Sequence, residues 1–179
     1  MRASAISLPG VMLLEPRVFE DARGFFFESF NRRTLAELGI DAEFVQDNHS
    51  RSVRNVLRGL HYQVRKPQGK LVRVVAGEIF DVVVDLRQSS STFGKWEGFQ
   101  LSATNRRMLW VPVGFAHGFL AVTDAEVIYK TTEYWAPEFE RCVRWNDEQL
   151  AIPWPVDGMP VLSAKDGVGT ALADAEVFA

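Results

Sequence analysis

Imidazole is the side chain that takes up or releases a proton near neutral pH, and this sequence carries three of them, His49, His61 and His117. His49 lies in Gln46-Asp47-Asn48-His49-Ser50, a polar, turn-like run in which a solvated ring is expected. His61 and His117 have apolar, strand-rich surroundings, where a lone histidine is most often a core residue satisfied by hydrogen bonds. Read as a strand, Arg58-Gly59-Leu60-His61-Tyr62-Gln63 puts Arg58, Leu60 and Tyr62 on one side and His61 with Gln63 on the other. Lys70 alternates with Val72 and Val74, so its amine projects onto a mostly apolar strand face. Polar groups aimed inward from strands need partners or a ligand, and the inside of a small barrel is where a ligand would sit.

The elements that must hold these groups are short. Strand candidates are Lys70 to Ala76 and Ile79 to Leu86, joined by a turn at Gly77-Glu78. Trp96 to Leu101, Met108 to Val111, Phe119 to Val122 and Ala125 to Tyr134 continue the series. In the second of these, Phe80, Val82, Val84 and Leu86 share one face, and Ile79, Asp81, Val83 and Asp85 the other. Thr34-Leu35-Ala36-Glu37 is a capping box closed by Gly39, which predicts one helix of barely two turns. Strands at this spacing predict an all-β, mainly antiparallel sandwich, jelly roll or barrel. With 179 residues and neither repeat nor linker, the chain is read as a single domain, with a loose tail from Gly167.

Composition narrows the function classes. A formal net charge of −3 excludes a globally basic nucleic-acid binder. Val11-Met12-Leu13-Leu14 is too short to span a membrane, so the cytoplasm is the expected compartment. The one cysteine, Cys142, cannot make an internal disulfide, suits a reducing compartment, and is expected to pack as a small core hydrophobe.

Pro112-Val113-Gly114-Phe115-Ala116-His117 resembles the second half-motif of the cupin jelly rolls. The first half-motif requires His-x-His, and His61-Tyr62-Gln63 has an amide where the second imidazole would be. A ligand set short of one imidazole argues against a catalytic metal and leaves imidazoles free for acid–base work. The wider sequence is similar to the dTDP-4-dehydrorhamnose 3,5-epimerases. The segments that carry the resemblance are Phe19 to Phe26, Phe44 to Ser50, Val56 to Gln63, Gln68 to Arg73, Gly77 to Val82 and Trp110 to Phe119. Tyr129-Lys130, Trp145-Asn146-Asp147 and Leu162 to Asp166 complete it, so that it runs in order from about Leu13 to Asp166.

The resemblance implies a cupin-type jelly-roll barrel, a homodimer that exchanges N-terminal strands, and no cofactor or metal. It implies epimerisation at C3 and C5 of dTDP-4-dehydro-6-deoxy-D-glucose. His61 would be the base, Asp166 its partner, Tyr129 the acid and Lys70 the group at the 4-oxo oxygen. Arg23, Glu28, Gln46, Asp47, Asn48, Arg58, His117, Glu140 and Lys165 fall where that family binds substrate, with Arg23 and Glu28 serving the partner subunit. Trp135 departs from the second tyrosine of many relatives, and Tyr134 beside it is a candidate for lining the pocket. The rival readings are a mono-epimerase or 3,4-ketoisomerase of the same substrate class, and a sugar-binding cupin without activity. A protein that only binds has no use for an acid–base pair, so His61, Tyr129 and Asp166 together favour the enzyme.

Overall fold

The computed structural model describes residues 1–179, and most of its regular structure is strand. In chain order the strands are β1 (Arg2–Ala5), β2 (Met12–Glu15), β3 (Val18–Asp21), β4 (Gly24–Phe27), β5 (Gln46–Ser52), β6 (Leu57–Gln63) and β7 (Lys70–Ala76). There follow β8 (Glu78–Asp85), β9 (Trp96–Ser102), β10 (Met108–Val111), β11 (Phe115–Ala121), β12 (Ala125–Thr131) and β13 (Glu140–Cys142). Six of them pair in the order β1-β2-β10-β7-β12-β5, and five in the order β13-β6-β11-β8-β9. Strands β3 and β4 form a hairpin outside both sheets. All the strand pairs are antiparallel, as expected. No helix among the described residues is long and apolar enough to cross a membrane.

The apolar residues explain why two sheets form and how they stack. Val72, Val74, Ile79, Val83, Leu101, Leu109, Val111, Phe115, Phe119 and Val127 come from both sheets and meet in one buried cluster between them. The alternate residues of the same strands point outward, and these faces are covered as well. Leu71, Met108 and Trp110 pack under α1 (Arg32–Glu37) through Leu35. Leu60, Tyr62, Val82, Val84 and Leu120 pack under the C-terminal segment through Leu150, Trp154 and Leu172. Burial on both faces is what allows the unbroken apolar runs Val82-Val83-Val84 and Met108-Leu109-Trp110-Val111.

Four expectations need correction. Lys70–Ala76 and Glu78–Asp85 are strands but do not pair: β7 lies between β10 and β12, and β8 between β11 and β9. The chain changes sheets at Gly77, whose φ is +71°, and a Cβ there would overlap the Asp124 carbonyl. The helix starts earlier than the capping box implied. Asn31 caps it, its side chain accepting from the Arg33 and Thr34 amides, and its short polar side chain competes with Thr34 for the role. The residues after Gly167 are not loose. Thr170 bridges to Val143, Phe178 to Arg87, and Leu172 is 4% exposed. Burying a leucine contributes roughly 1.5–3 kcal/mol, which offsets part of the cost of ordering such a segment. Finally, Gln46–Ser50 is no turn but most of β5, because its ladder with β12 satisfies the backbone. The expected solvation of His49 holds nonetheless, its ring lying outward against Glu126 at 3.0 Å.

Candidate active site

One cavity of about 330 Å³ opens between the two sheets. From the five-stranded sheet it receives Arg58 and His61 of β6 and His117 of β11, and from the six-stranded sheet Lys70 of β7 and Tyr129 of β12. Glu140 of β13 and the loop residues Ser163, Lys165 and Asp166 close one side.

Strand alternation aims Lys70 and Tyr129 inward, on the same faces as Val72, Val74 and Val127. On β6 alternation alone misplaces Arg58, which shares the cavity with His61 and not the outer face with Leu60 and Tyr62. The cause is an irregularity in the β6–β11 ladder, where the register shifts between His117 and Phe119. The two backbones approach closely there, and a Cβ on Gly59 would lie 2.6 Å from Gly118 Cα. Arg58 is anchored by Ser52 Oγ at 3.0 Å and the Arg51 carbonyl at 3.1 Å.

His61 Nε2 lies 2.6 Å from Asp166 Oδ1, close but off the line of a straight N–H···O bond. Asp166 is held on three further sides. It accepts from Ser163 Oγ at 2.6 Å and the Gly59 amide at 3.1 Å, while its own amide donates to Ser163 Oγ. Burial pushes its carboxyl up, but the hydrogen bonds from His61, Ser163 and Gly59 outweigh that and bring it down to about 2. It is a carboxylate whenever the protein is folded near neutral pH. With that anion at Nε2, the imidazole keeps a proton there and a lone pair on Nδ1.

Burial pulls the Lys70 amine down to about 8, opposed by the Glu140 and Asp81 carboxylates and assisted by Lys165. Its Nζ is 3.5 Å from the His61 carbonyl, the outer limit of a hydrogen bond. Burial pushes the Tyr129 phenol up, against the pull of Arg58, so it stays protonated. His117 Nε2 is 2.9 and 3.0 Å from the two oxygens of the fully buried Asp81. Lys165 Nζ meets Glu140 Oε2 at 2.7 Å.

Not every expected residue joins them. Gln46 and Asn48 share the Tyr129 side of β5, flanking the cavity and bonded to each other at 2.8 Å. Asp47 does not share it, since alternation turns it outward onto Lys130 at 2.8 Å. Arg23 sits on the exposed β3–β4 hairpin against Asp21 at 2.6 Å, and Glu28 accepts from Asn31 at 2.8 Å. Neither lines the cavity. Tyr134 is 61% exposed and does not line it either, whereas Trp135, one residue on, does and donates to Glu140 at 3.4 Å.

Two polar lining residues, both serines, escaped the sequence reading. Ser50 Oγ is buried without a hydrogen-bond partner, and reading Gln46–Ser50 as an alternating strand would have placed it beside Asn48. Ser163 lies in a noted motif, but its role as a prop for Asp166 depends on a loop geometry without sequence signature. Gln63, where a cupin metal site would have its second imidazole, is 3% exposed and spent on backbone. Its amide donates to the Lys66 and Tyr134 carbonyls and accepts from the Ala136 amide.

Such a cavity can remove a proton from carbon on one side, return one on the other, and stabilise an oxyanion between them. Known proteins agree. The dTDP-4-dehydrorhamnose 3,5-epimerase family profile matches residues 5–174. The dTDP-4-dehydrorhamnose 3,5-epimerase of Pseudomonas aeruginosa is 59% identical over 180 residues, 99% of each chain. That of Salmonella typhimurium is 54% identical over 172 residues, 94% of each chain. The crystal structure of the Legionella pneumophila dTDP-6-deoxy-D-glucose-3,5-epimerase in complex with dTDP-4-keto-L-rhamnose superposes with a TM-score of 0.95 at 47% identity, covering 98% of this chain and 94% of that one.

Proposed function

Because the chain belongs to the dTDP-4-dehydrorhamnose 3,5-epimerase family, we propose that His61 is its base, Tyr129 its acid and Lys70 its oxyanion partner. The reaction inverts C3 and C5 of dTDP-4-dehydro-6-deoxy-D-glucose, giving dTDP-4-dehydro-L-rhamnose. Both carbons adjoin the C4 ketone, so either C–H bond is acidified by delocalisation into an enolate. His61 takes the proton, and Asp166 stabilises the imidazolium and fixes its tautomer. The Lys70 ammonium, set in a poorly solvated pocket, faces the charge that grows on the C4 oxygen. Inversion requires the new proton on the other face, and Tyr129 delivers it.

The observation that carries this reading is the division of labour between sheets. His61 and its carboxylate belong to the five-stranded side of one cavity, Tyr129 and Lys70 to the six-stranded side, with the Lys70 amine reaching to within 3.5 Å of the His61 carbonyl. Arg58 and Lys165 supply cations for the diphosphate, and Glu140, His117, Gln46 and Asn48 supply hydrogen bonds to sugar and base. Trp135 in this chain replaces Tyr134 as the aromatic wall.

The reading extends to a homodimer in which the β3–β4 hairpin crosses to the partner subunit, carrying Arg23 and Glu28 to its site. Phe19, Phe25 and Phe26 on that hairpin are 52%, 58% and 69% exposed in the single chain, more apolar surface than a monomer ordinarily leaves in water. A charged nucleotide sugar and a free cysteine both suit the cytoplasm.

Tyr129→Phe in D2O tests the assignment. The wild-type enzyme should place deuterium at C3 and C5 of the product. Exchange at one carbon alone would make it a mono-epimerase. Tyr129→Phe keeps the ring and loses the phenolic proton, so His61 should still exchange deuterium into the sugar while inverted product falls sharply. Unchanged epimerisation by the folded variant would mean that another group is the acid.

A further inference from the structure

Cys142 stands on β13 directly opposite His61 on β6. A ring nitrogen of His61, the Cys142 Sγ and an Asp166 carboxylate oxygen all lie within 4.8 Å of one another. The His61–Asp166 contact is short but off the line of a straight hydrogen bond, and the thiol is uncommitted, making only a 3.5 Å contact with the Val143 carbonyl. The proposed reaction uses His61 and Asp166 but gives the thiol nothing to do.

We propose that a thiophilic divalent cation, zinc or cadmium, binds between His61, Cys142 and Asp166 and inhibits the enzyme by occupying its base. Imidazole, thiolate and carboxylate are a tetrahedral zinc set with bonds of roughly 2.0–2.3 Å, which puts ligand atoms about 3.3–3.7 Å apart. The cluster reaches that spacing when Cys142 closes on the pair and the His61–Asp166 contact widens, each by about an ångström. The fourth position faces the cavity, because His61 and Asp166 line it. Binding is balanced by one proton. The metal displaces the thiol hydrogen, which leaves to solvent, while the Nε2 proton of the neutral ring passes to Nδ1, so Nε2 coordinates and the lone pair that serves as base is lost. Magnesium is excluded by chemistry, since it prefers an octahedral shell of oxygens. Burial keeps the thiol protonated, pushing it up to about 12, so oxidants and alkylating agents meet a sluggish group. Metal capture and catalysis are mutually exclusive. The inhibitory half of the proposal rests on His61 being the base, whereas the binding half does not.

Cadmium titration of the purified enzyme, in buffer without added thiol, tests both halves. A thiolate-to-cadmium charge-transfer band in the near ultraviolet reports Cys142 alone, because the chain has one cysteine. The band should saturate at one equivalent, and epimerase activity should fall with the same midpoint in cadmium. Zinc should inhibit likewise, and magnesium should not. Cys142→Ser should stay active, lose the band, and raise the half-inhibitory zinc concentration by roughly 10–100-fold or more. Inhibition without the band, or equal inhibition of Cys142→Ser, would overturn the site. If Cys142→Ser folds poorly, coincidence of band and inhibition in the wild-type enzyme decides, and separate midpoints overturn the proposal. A band that forms without inhibition overturns the inhibitory half, and an active His61→Ala would trace that failure to the assignment of the base.

Discussion

Two histidine–aspartate pairs stand side by side in this molecule, with His61 and His117 facing each other across the β6–β11 ladder. His117 meets both oxygens of Asp81, a fully buried carboxylate on the adjacent strand β8, and its own side chain is 9% exposed. His61 meets one oxygen of Asp166, which comes from a loop far along the chain, and its side chain is 22% exposed. The first pair is tied at Nε2 to both oxygens of a fully buried carboxylate, and its ring, though it lines the cavity, is nearly buried, so moving it disturbs the core. The second is close but misaligned, its carboxylate is shared with Ser163 and Gly59, and its ring reaches open space. A buried His–Asp contact is thus no mark of a base in itself. What separates the two is how much room the ring has on the substrate side, 22% exposed for His61 against 9% for His117.

Substitution of the two rings breaks the comparison most directly. His61→Ala should lower kcat by roughly 10²–10⁴-fold or more, abolish solvent exchange at both carbons, and leave nucleotide binding largely intact. His117→Ala should do the reverse. It strands the Asp81 carboxylate in the core, which costs about 3–5 kcal/mol of stability, while the folded fraction retains far more turnover than His61→Ala. Denaturant melts and steady-state rates on both proteins check this, and a stable but inactive His117→Ala would exchange the two roles.

The carboxylates give a smaller contrast. Asp166→Ala removes the support of the imidazole but not the imidazole, so kcat should fall less than in His61→Ala while KM changes little. A smaller loss of kcat in Asp166→Ala than in Asp81→Ala, measured on folded protein, would mean that the two pairs do not divide into a catalytic and a structural one.

The smallest effect leaves both pairs intact and changes only the charge beside them. The Lys70 amine, pulled down by burial to about 8, is an ammonium below that pH and neutral above it. Activity should therefore decline as pH rises through about 8, and Lys70→Arg, which stays charged, should move that decline to higher pH. A profile unmoved in an active Lys70→Arg would remove the amine from the reaction.

Much of this site was legible along the chain, because a strand repeats every two residues and local composition shows which residues share a face. That rule placed Lys70 among Val72 and Val74, and His61 apart from Leu60 and Tyr62. The named resemblance added Tyr129 and Asp166, and all four line one cavity. The same rule failed wherever pairing between distant segments decides the outcome. It left Arg58 on the wrong face, because the shift between His117 and Phe119 belongs to two strands jointly. It joined β7 to β8, since a turn residue such as Gly77 reads alike whether the chain folds back or crosses between sheets. It left the last residues loose, because small residues gain a fixed place only when the outer face of β6, β8 and β11 is there to receive Leu172. Periodicity is a property of one backbone and can be read from one segment. Register, sheet order and the cover over an apolar face depend on surfaces that exist only once the other segments have folded, and only the tertiary structure decides those.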